Sequence, residues 1–202
     1  MKFIKKPAIE NAVASFTVRN SYEADGNPIC TEDCEIRVTF ESNGTMLIWT
    51  SIFQPAGKRF YFGDQEEMGL GVRVATPLAV VKGGSIRDSE ERKDEAQVWG
   101  KQADWCEYTG MLEGRRVGVV LMPNPKNFRR SWFHARNYGL LLANPFGRNA
   151  FTKGEKSRIV VKAGKEFQLR FGVLLYDADP DKPSNIATAY RDFTKQLNPP
   201  KD

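Results

Sequence analysis

Short runs in which apolar and polar residues alternate dominate the chain. SFTV at 15–18, EIRVTFE at 35–41 and TMLIWTSIF at 45–53 are the first three. A period of two sends alternate side chains to opposite faces of a pleated strand, so each run predicts a strand. ESNGT separates the second run from the third. Asn43-Gly44 predicts a two-residue hairpin there, because a type I′ turn needs positive φ at both central positions. Followed by Thr45, the same pair spells a glycosylation sequon, and the turn reading takes precedence. Further strands are expected at 59–62, 70–76, 117–122, 138–143, 157–161 and 166–176.

One helix is predicted, near the end, in KPSNIATAYRDFTKQL. Ser184 is placed to cap it, and Ile186, Ala189, Tyr190 and Phe193 share one face. Many strands separated by turns mean a sandwich or barrel. The expectation is an all-β, antiparallel β-sandwich with one C-terminal helix, in a single domain spanning 1–202. Residues 82–97 read as a polar loop excursion within that domain, and 198–202 as a frayed tail.

Composition narrows the classes. Hydrophobic residues make up 41% of the 202, enough for a sizeable core, and charged residues 27%. The formal charge of +5 is spread among residues of both signs, so no basic stripe marks a nucleic-acid binder. No run reaches the roughly 18 apolar residues of a membrane helix. MKFIKKPAIENAV lacks the apolar core of a signal peptide. As written, the chain is expected in the cytoplasm; a removed leader would place it in the periplasm or outside the cell. Three cysteines and one histidine make a zinc site improbable, and no metal or cofactor is expected. DADPDK at 177–182 spaces three aspartates as a calcium loop does, but Lys182 and Thr188 stand where an EF-hand needs glycine and glutamate.

Candidate chemistry lies in three polar clusters. FGDQEEMGLGVRVA supplies Glu67 and, on a strand, Arg73. VWGKQADWCEYTG brackets Lys101 and Asp104 with Trp99 and Trp105, a stacking platform for a sugar ring or simply core. WFHARNYGLLLANPFG holds the only histidine, His134. On a strand, alternation puts Trp132, His134 and Arg136 together on one face, a poor core but a good wall for a polar ligand. Tyr138 and Asn144 follow in the same stretch, and Asn127 precedes it.

The motifs FGDQEEMGLGVRVATPL, VWGKQADWCEYTG, VGVVLMPNPKN, WFHARNYGLLLANPFG and the segment from Phe167 to Phe193 resemble, in order and spacing, the PmoA-like ("methane oxygenase PmoA") family of uncharacterised bacterial proteins. Members of that family are longer at the N-terminus, so the resemblance implies a short or truncated member. Where members often carry His-Pro, this chain has Met122-Pro123. The family label implies methane oxidation, which one histidine and no membrane span do not support. The resemblance also implies a galactose-mutarotase-like (supersandwich-related) fold and a link to carbohydrates.

Three functions are open at this stage. In a sugar-active hydrolase, lyase or epimerase, His134 and Glu67 would be the acid/base pair. Arg73, Trp99, Lys101, Trp105, Asn127, Trp132, Arg136, Tyr138 and Asn144 would hold the substrate. In a non-catalytic carbohydrate-binding module, the same residues would only bind. In a protein-interaction domain, an apolar edge strand such as YGLLLA would pair with a partner. The expected partner is a carbohydrate, with neither nucleic acid nor membrane; the sequence sets no oligomeric state.

Overall fold

The computed structural model describes residues 1–42, 44–179 and 185–197. Four long strands open the chain: β1 (Lys2–Glu10), β2 (Val13–Ala24), β3 (Asn27–Glu41) and β4 (Gly44–Pro55). Short strands β5 (Phe60–Phe62), β6 (Leu70–Arg73), β7 (Ser85–Asp88) and β8 (Lys101–Gln102) follow, with helix α1 (Asp94–Val98) before β8. Then come β9 (Cys106–Leu112), β10 (Arg115–Pro123), β11 (Trp132–Arg136), β12 (Leu140–Asn144), α2 (Arg148–Thr152), β13 (Ile159–Val161), β14 (Phe167–Ala178) and α3 (Ile186–Gln196).

The strands form three antiparallel sheets. The largest has the order β1-β2-β3-β4-β14-β10-β9-β7, the second β6-β12-β11-β8, and β13 pairs with β5. The inner face of the large sheet packs on the second sheet. Tyr108, Val119, Leu121, Phe171 and Val173 meet Phe133, Ala135, Leu141 and Ala143 in the main core. Phe53, Phe62, Phe146 and Phe167 close one side, with ring centroids 4.8–6.4 Å apart.

The outer face of the large sheet is covered in part by α3. Ile186, Ala189 and Phe193 bury Met46, Ile48, Val120, Met122 and Leu174. This explains why β10 and β14 read as nearly continuous apolar runs: strands covered on both faces have no solvent side to make polar. Gly172 makes room for Phe193, whose ring a Cβ would approach to 2.7 Å.

The expected antiparallel sandwich with a C-terminal helix is the observed architecture. β3 and β4 form a hairpin at the expected place, but Gly44 is not a central turn residue: it opens β4 opposite Glu41, with φ +142°. Asn43 lies outside the described residues, as do Ser184, where the cap was expected, and the 198–202 tail. Asn185 caps α3, its side chain accepting from Thr188 N. Asp177 of the considered calcium loop sits in β14 and pairs with Arg115 at 2.7 Å. The 82–97 stretch is not a loop excursion, for it contains β7 and most of α1. Its charges hid this: Arg87 and Asp88 belong to a strand whose polar side chains find partners in Glu107 and Arg92.

Candidate functional site

Strand β11 realises the expected alternation. Phe133 and Ala135 are fully buried in the core, and Trp132, His134 and Arg136 project from the other side of the second sheet. That side is roofed by α1, α2 and the 63–68 segment. Glu66 is the carboxylate that arrives. Its Oε1 lies 2.9 Å from His134 Nδ1 and accepts from Arg136 Nη2 at 2.7 Å and from Trp99 Nε1 at 3.2 Å. Glu67, expected in that place, points to solvent. The two residues lie in a bend between β5 and β6, and the sequence could not tell which of them turns inward.

The histidine at the centre of this cluster is shut off from solvent, while Glu66, Glu95 and Arg136 stay partly exposed. His134 is 1% exposed. Its Nε2 accepts from Arg136 Nε at 3.1 Å, so the neutral ring carries its proton on Nδ1. That N–H is not in line with Glu66, so their contact is one of charge and proximity rather than a hydrogen bond. Burial, then the Arg136 charge, pushes the His134 pKa down, against the pull of Glu66, Glu67 and Glu95. Arg136 spends a third donor on Glu95 Oε1 at 2.7 Å. A base must reach the proton it takes. Nε2 is taken by Arg136 and Nδ1 is buried against Glu66, so neither nitrogen faces open space and the ring acts as part of a brace.

The other expected residues divide. Trp99 and Trp132 pack edge-on and stacked, respectively, on Phe151, beside His134. Asn144 is fully buried and fully bonded; it donates to Gln65 O and Glu66 O and accepts from Phe146 N and Gly147 N. It staples the 65–66 segment and has nothing left for a ligand. Asn127 likewise exchanges two 2.9 Å bonds with the Arg170 backbone. Lys101 is exposed on edge strand β8. Arg73 and Tyr138 stack on each other at 5.2 Å, and both are exposed. Trp105 is buried on the far side of the large sheet, in the α3 core, with Arg87 5.5 Å above its ring. It is no open stacking platform.

A cleft of about 320 Å³ lies beside α3's core, where the outer face of the large sheet runs out towards edge strand β7. It falls at the small end of the roughly 300–1,000 Å³ of small-molecule sites. Register builds it. Arg87 pairs with Glu107, Ser85 with Thr109, Thr109 with Gly118 and Gly118 with Tyr176, so their side chains share one face across four strands. Gly118 leaves the space that the Tyr176 ring fills, since a Cβ there would come within 2.5 Å of it. Glu107 is only 4% exposed. Its Oε1 accepts from the Tyr176 hydroxyl at 2.5 Å, and its Oε2 accepts from Arg87 Nη2 at 3.0 Å. Tyr176 OH is also 3.0 Å from Thr109 Oγ1. Lys93, Asp94 and Arg116 complete the wall.

This cleft is not legible in the sequence. Its residues come from five segments, and the one signal was Glu107 and Thr109 alternating with apolar Cys106 and Tyr108 in WCEYTG. Among the described residues, no group of three or more histidine, cysteine or acidic side chains is arranged to hold a metal ion. All three cysteines are buried thiols. Burial pushes Cys106 well up and Cys34 up to about 12, so neither is an activated nucleophile.

Fold and site together define an antiparallel β-sandwich protein with a polar cleft on the outer face of its larger sheet. The chain belongs to the family of unknown function DUF6807, whose profile matches residues 3–191. No curated protein matches it. Solved structures resemble it weakly. One is described as a kojibiose phosphorylase from the human microbiome (10% identity, TM-score 0.42), covering 92% of this chain and 20% of that one. The chain therefore spans a fifth of that protein's length. A galactose mutarotase related enzyme from Lactobacillus acidophilus (11%, 0.35) covers 87% and 72%. A GalM/aldose epimerase homologue from C. elegans (10%, 0.30) covers 86% and 68%. None of these likenesses carries an activity or substrate to this chain. No helix among the described residues is long and apolar enough to cross a membrane.

Proposed function

We propose that the chain is a carbohydrate-related protein that binds a sugar, or a similar polyhydroxylated small molecule, in the Glu107 cleft. The observation that supports this is a concave site in which a buried carboxylate, a phenol, a threonine hydroxyl and an arginine converge on one face of a rigid sheet. Sugars offer hydroxyls that both donate and accept, and such mixed groups pair with them. The motif resemblance to the PmoA-like family implies the same ligand class. On this reading any acid/base work falls to Glu107 and Tyr176, and the His134 cluster holds the wall in place.

The test is titration calorimetry with a panel of monosaccharides and disaccharides on the wild type, Glu107→Gln and His134→Asn. A sugar that binds the wild type should lose at least about tenfold in affinity with Glu107→Gln, roughly one lost charge-assisted hydrogen bond. It should bind His134→Asn nearly as well. Loss only in His134→Asn would move the site to the second sheet. Absence of binding by every sugar would overturn the proposal.

A further inference from the structure

We propose that two copies of this chain associate face to face, through the part of the large sheet's inner face that the second sheet leaves uncovered. The large sheet has eight strands and the second has four, ending at β6. Leu70 and Val72 of that edge line an open trough of about 540 Å³ with Leu47 and Trp49 of β4. Beyond the trough the large sheet continues through β3 and β2 to β1. Register shows that its apolar rows continue too. Ala14, Val38 and Leu47 lie side by side and run into Val173 of the main core. Phe16, Ile36 and Trp49 run into Phe171, and Phe40 and Thr45 lead to Leu175. Ile9 of β1 extends the first row, and Phe3 stands against Phe16 with ring centroids 6.0 Å apart.

An antiparallel sheet turns a polar face to water. The outer face of β2 and β3 obeys, with Arg19 paired to Asp33 and with Glu35 and Arg37 further along. The inner face does not. Phe40 is 81% exposed and Ile9 78%, and Phe3 and Leu175 are exposed as well. The buried cluster of Val18, Cys34 and Ile36 draws, among the described residues, only on Phe16, Val38 and Trp49 of the same three strands, so no apolar residue of a second layer joins it. Contiguous exposed apolar surface marks an interaction site.

Two features favour a second copy as the occupant. From the Cys34 row to the Phe40 row, the inner face of β2, β3 and β4 carries no charged residue. A two-fold axis can therefore lay this face on itself without burying an unpaired charge. The area also suffices. Four strands about 4.8 Å apart, over seven residues of roughly 3.4 Å each, make a patch of about 450 Å² per copy. Two such patches, with side-chain relief and the trough wall, reach the roughly 1,000 Å² that a specific interface clears. Pairing through the β1 edge is blocked instead, because Lys2, Lys5, Lys6, Pro7 and two register shifts guard it. The contact is sheet on sheet, and the Glu107 cleft on the outer face stays open.

The experiment is sedimentation velocity from low to high micromolar protein, on the wild type, Phe40→Lys, Ile9→Lys and Val160→Lys. The wild type should shift from monomer towards dimer as concentration rises. Phe40→Lys and Ile9→Lys each place a charge in the contact twice per dimer, and each should raise the dissociation constant at least about tenfold. Both positions are exposed, so thermal melts should stay close to wild type. Val160→Lys, an exposed apolar position on β13, should leave the dissociation constant unchanged. A wild type that stays monomeric at every concentration refutes the proposal, and so does a dimer that both Phe40→Lys and Ile9→Lys leave intact. Binding of phosphatidylcholine–phosphatidylserine vesicles by a monomeric wild type, lost in Phe40→Lys, would assign the face to a lipid surface instead.

Discussion

Glu95 of α1 holds Arg136 of β11 through a 2.7 Å ion pair, and its second oxygen accepts from Asn137 N at 2.9 Å. The two residues before Glu95 line the Glu107 cleft. The His134 cluster on the second sheet thus positions a wall of the cleft on the large sheet. Glu95→Gln should weaken both stability and ligand affinity. The stability loss should be about 1–2 kcal/mol, because the pair is only partly buried and hydrogen-bonded. Urea denaturation should show a lower midpoint with an unchanged slope. Affinity should fall without any change in which sugars bind.

Acid should destabilise the protein in two stages. The folded-state pKa of His134 is held below its ordinary value by burial and by Arg136. The unfolded chain therefore takes up this proton first, and stability falls as pH drops below about 6.5 until the folded-state pKa is passed. Glu95 is held low by the Asn137 N–H and by Arg136; Asp64, although burial pushes it up, is pulled low by the N–H groups of Ser157, Asn149 and Ala150. Their contributions are present above ordinary carboxylate values and are lost as pH falls through the lowered ones. Melting temperature against pH should show both stages in the wild type. His134→Asn should lose the upper stage and keep the lower.

Adding one methyl group should report on each outer-face glycine separately. Gly172→Ala drives a Cβ against Phe193 and should cost about 1–3 kcal/mol by loosening α3. Gly118→Ala drives one against the Tyr176 ring and should disturb the cleft as well. Thermal melts should fall for both variants, and ligand affinity chiefly for Gly118→Ala.

The three thiols should be silent in the native state. Cys30, Cys34 and Cys106 are at most 5% exposed, and burial raises the pKa of each. Ellman's reagent should label none of them before unfolding and all three in guanidinium. Rapid labelling of one thiol in native protein would contradict the packing of its strand.

Much of this molecule follows from its sequence alone. Period-two runs, turn residues and the spacing of Ile186, Ala189 and Phe193 determine an antiparallel sandwich ending in a helix, because side-chain direction along a strand or helix is a local property. The same rule put Trp132, His134 and Arg136 on one face. Partnership was not local. Whether Glu66 or Glu67 turns to His134 depends on how the 63–68 segment docks across the second sheet. Strand β7 was invisible because Arg87 and Asp88 are charged, and only their distant partners make those charges compatible with a strand. The Glu107 cleft depends on register across β7, β9, β10 and β14, with Glu107 and Tyr176 69 residues apart in the chain. Hydrogen bonding between strands fixes that alignment, so tertiary structure alone decides which buried carboxylate faces an open space.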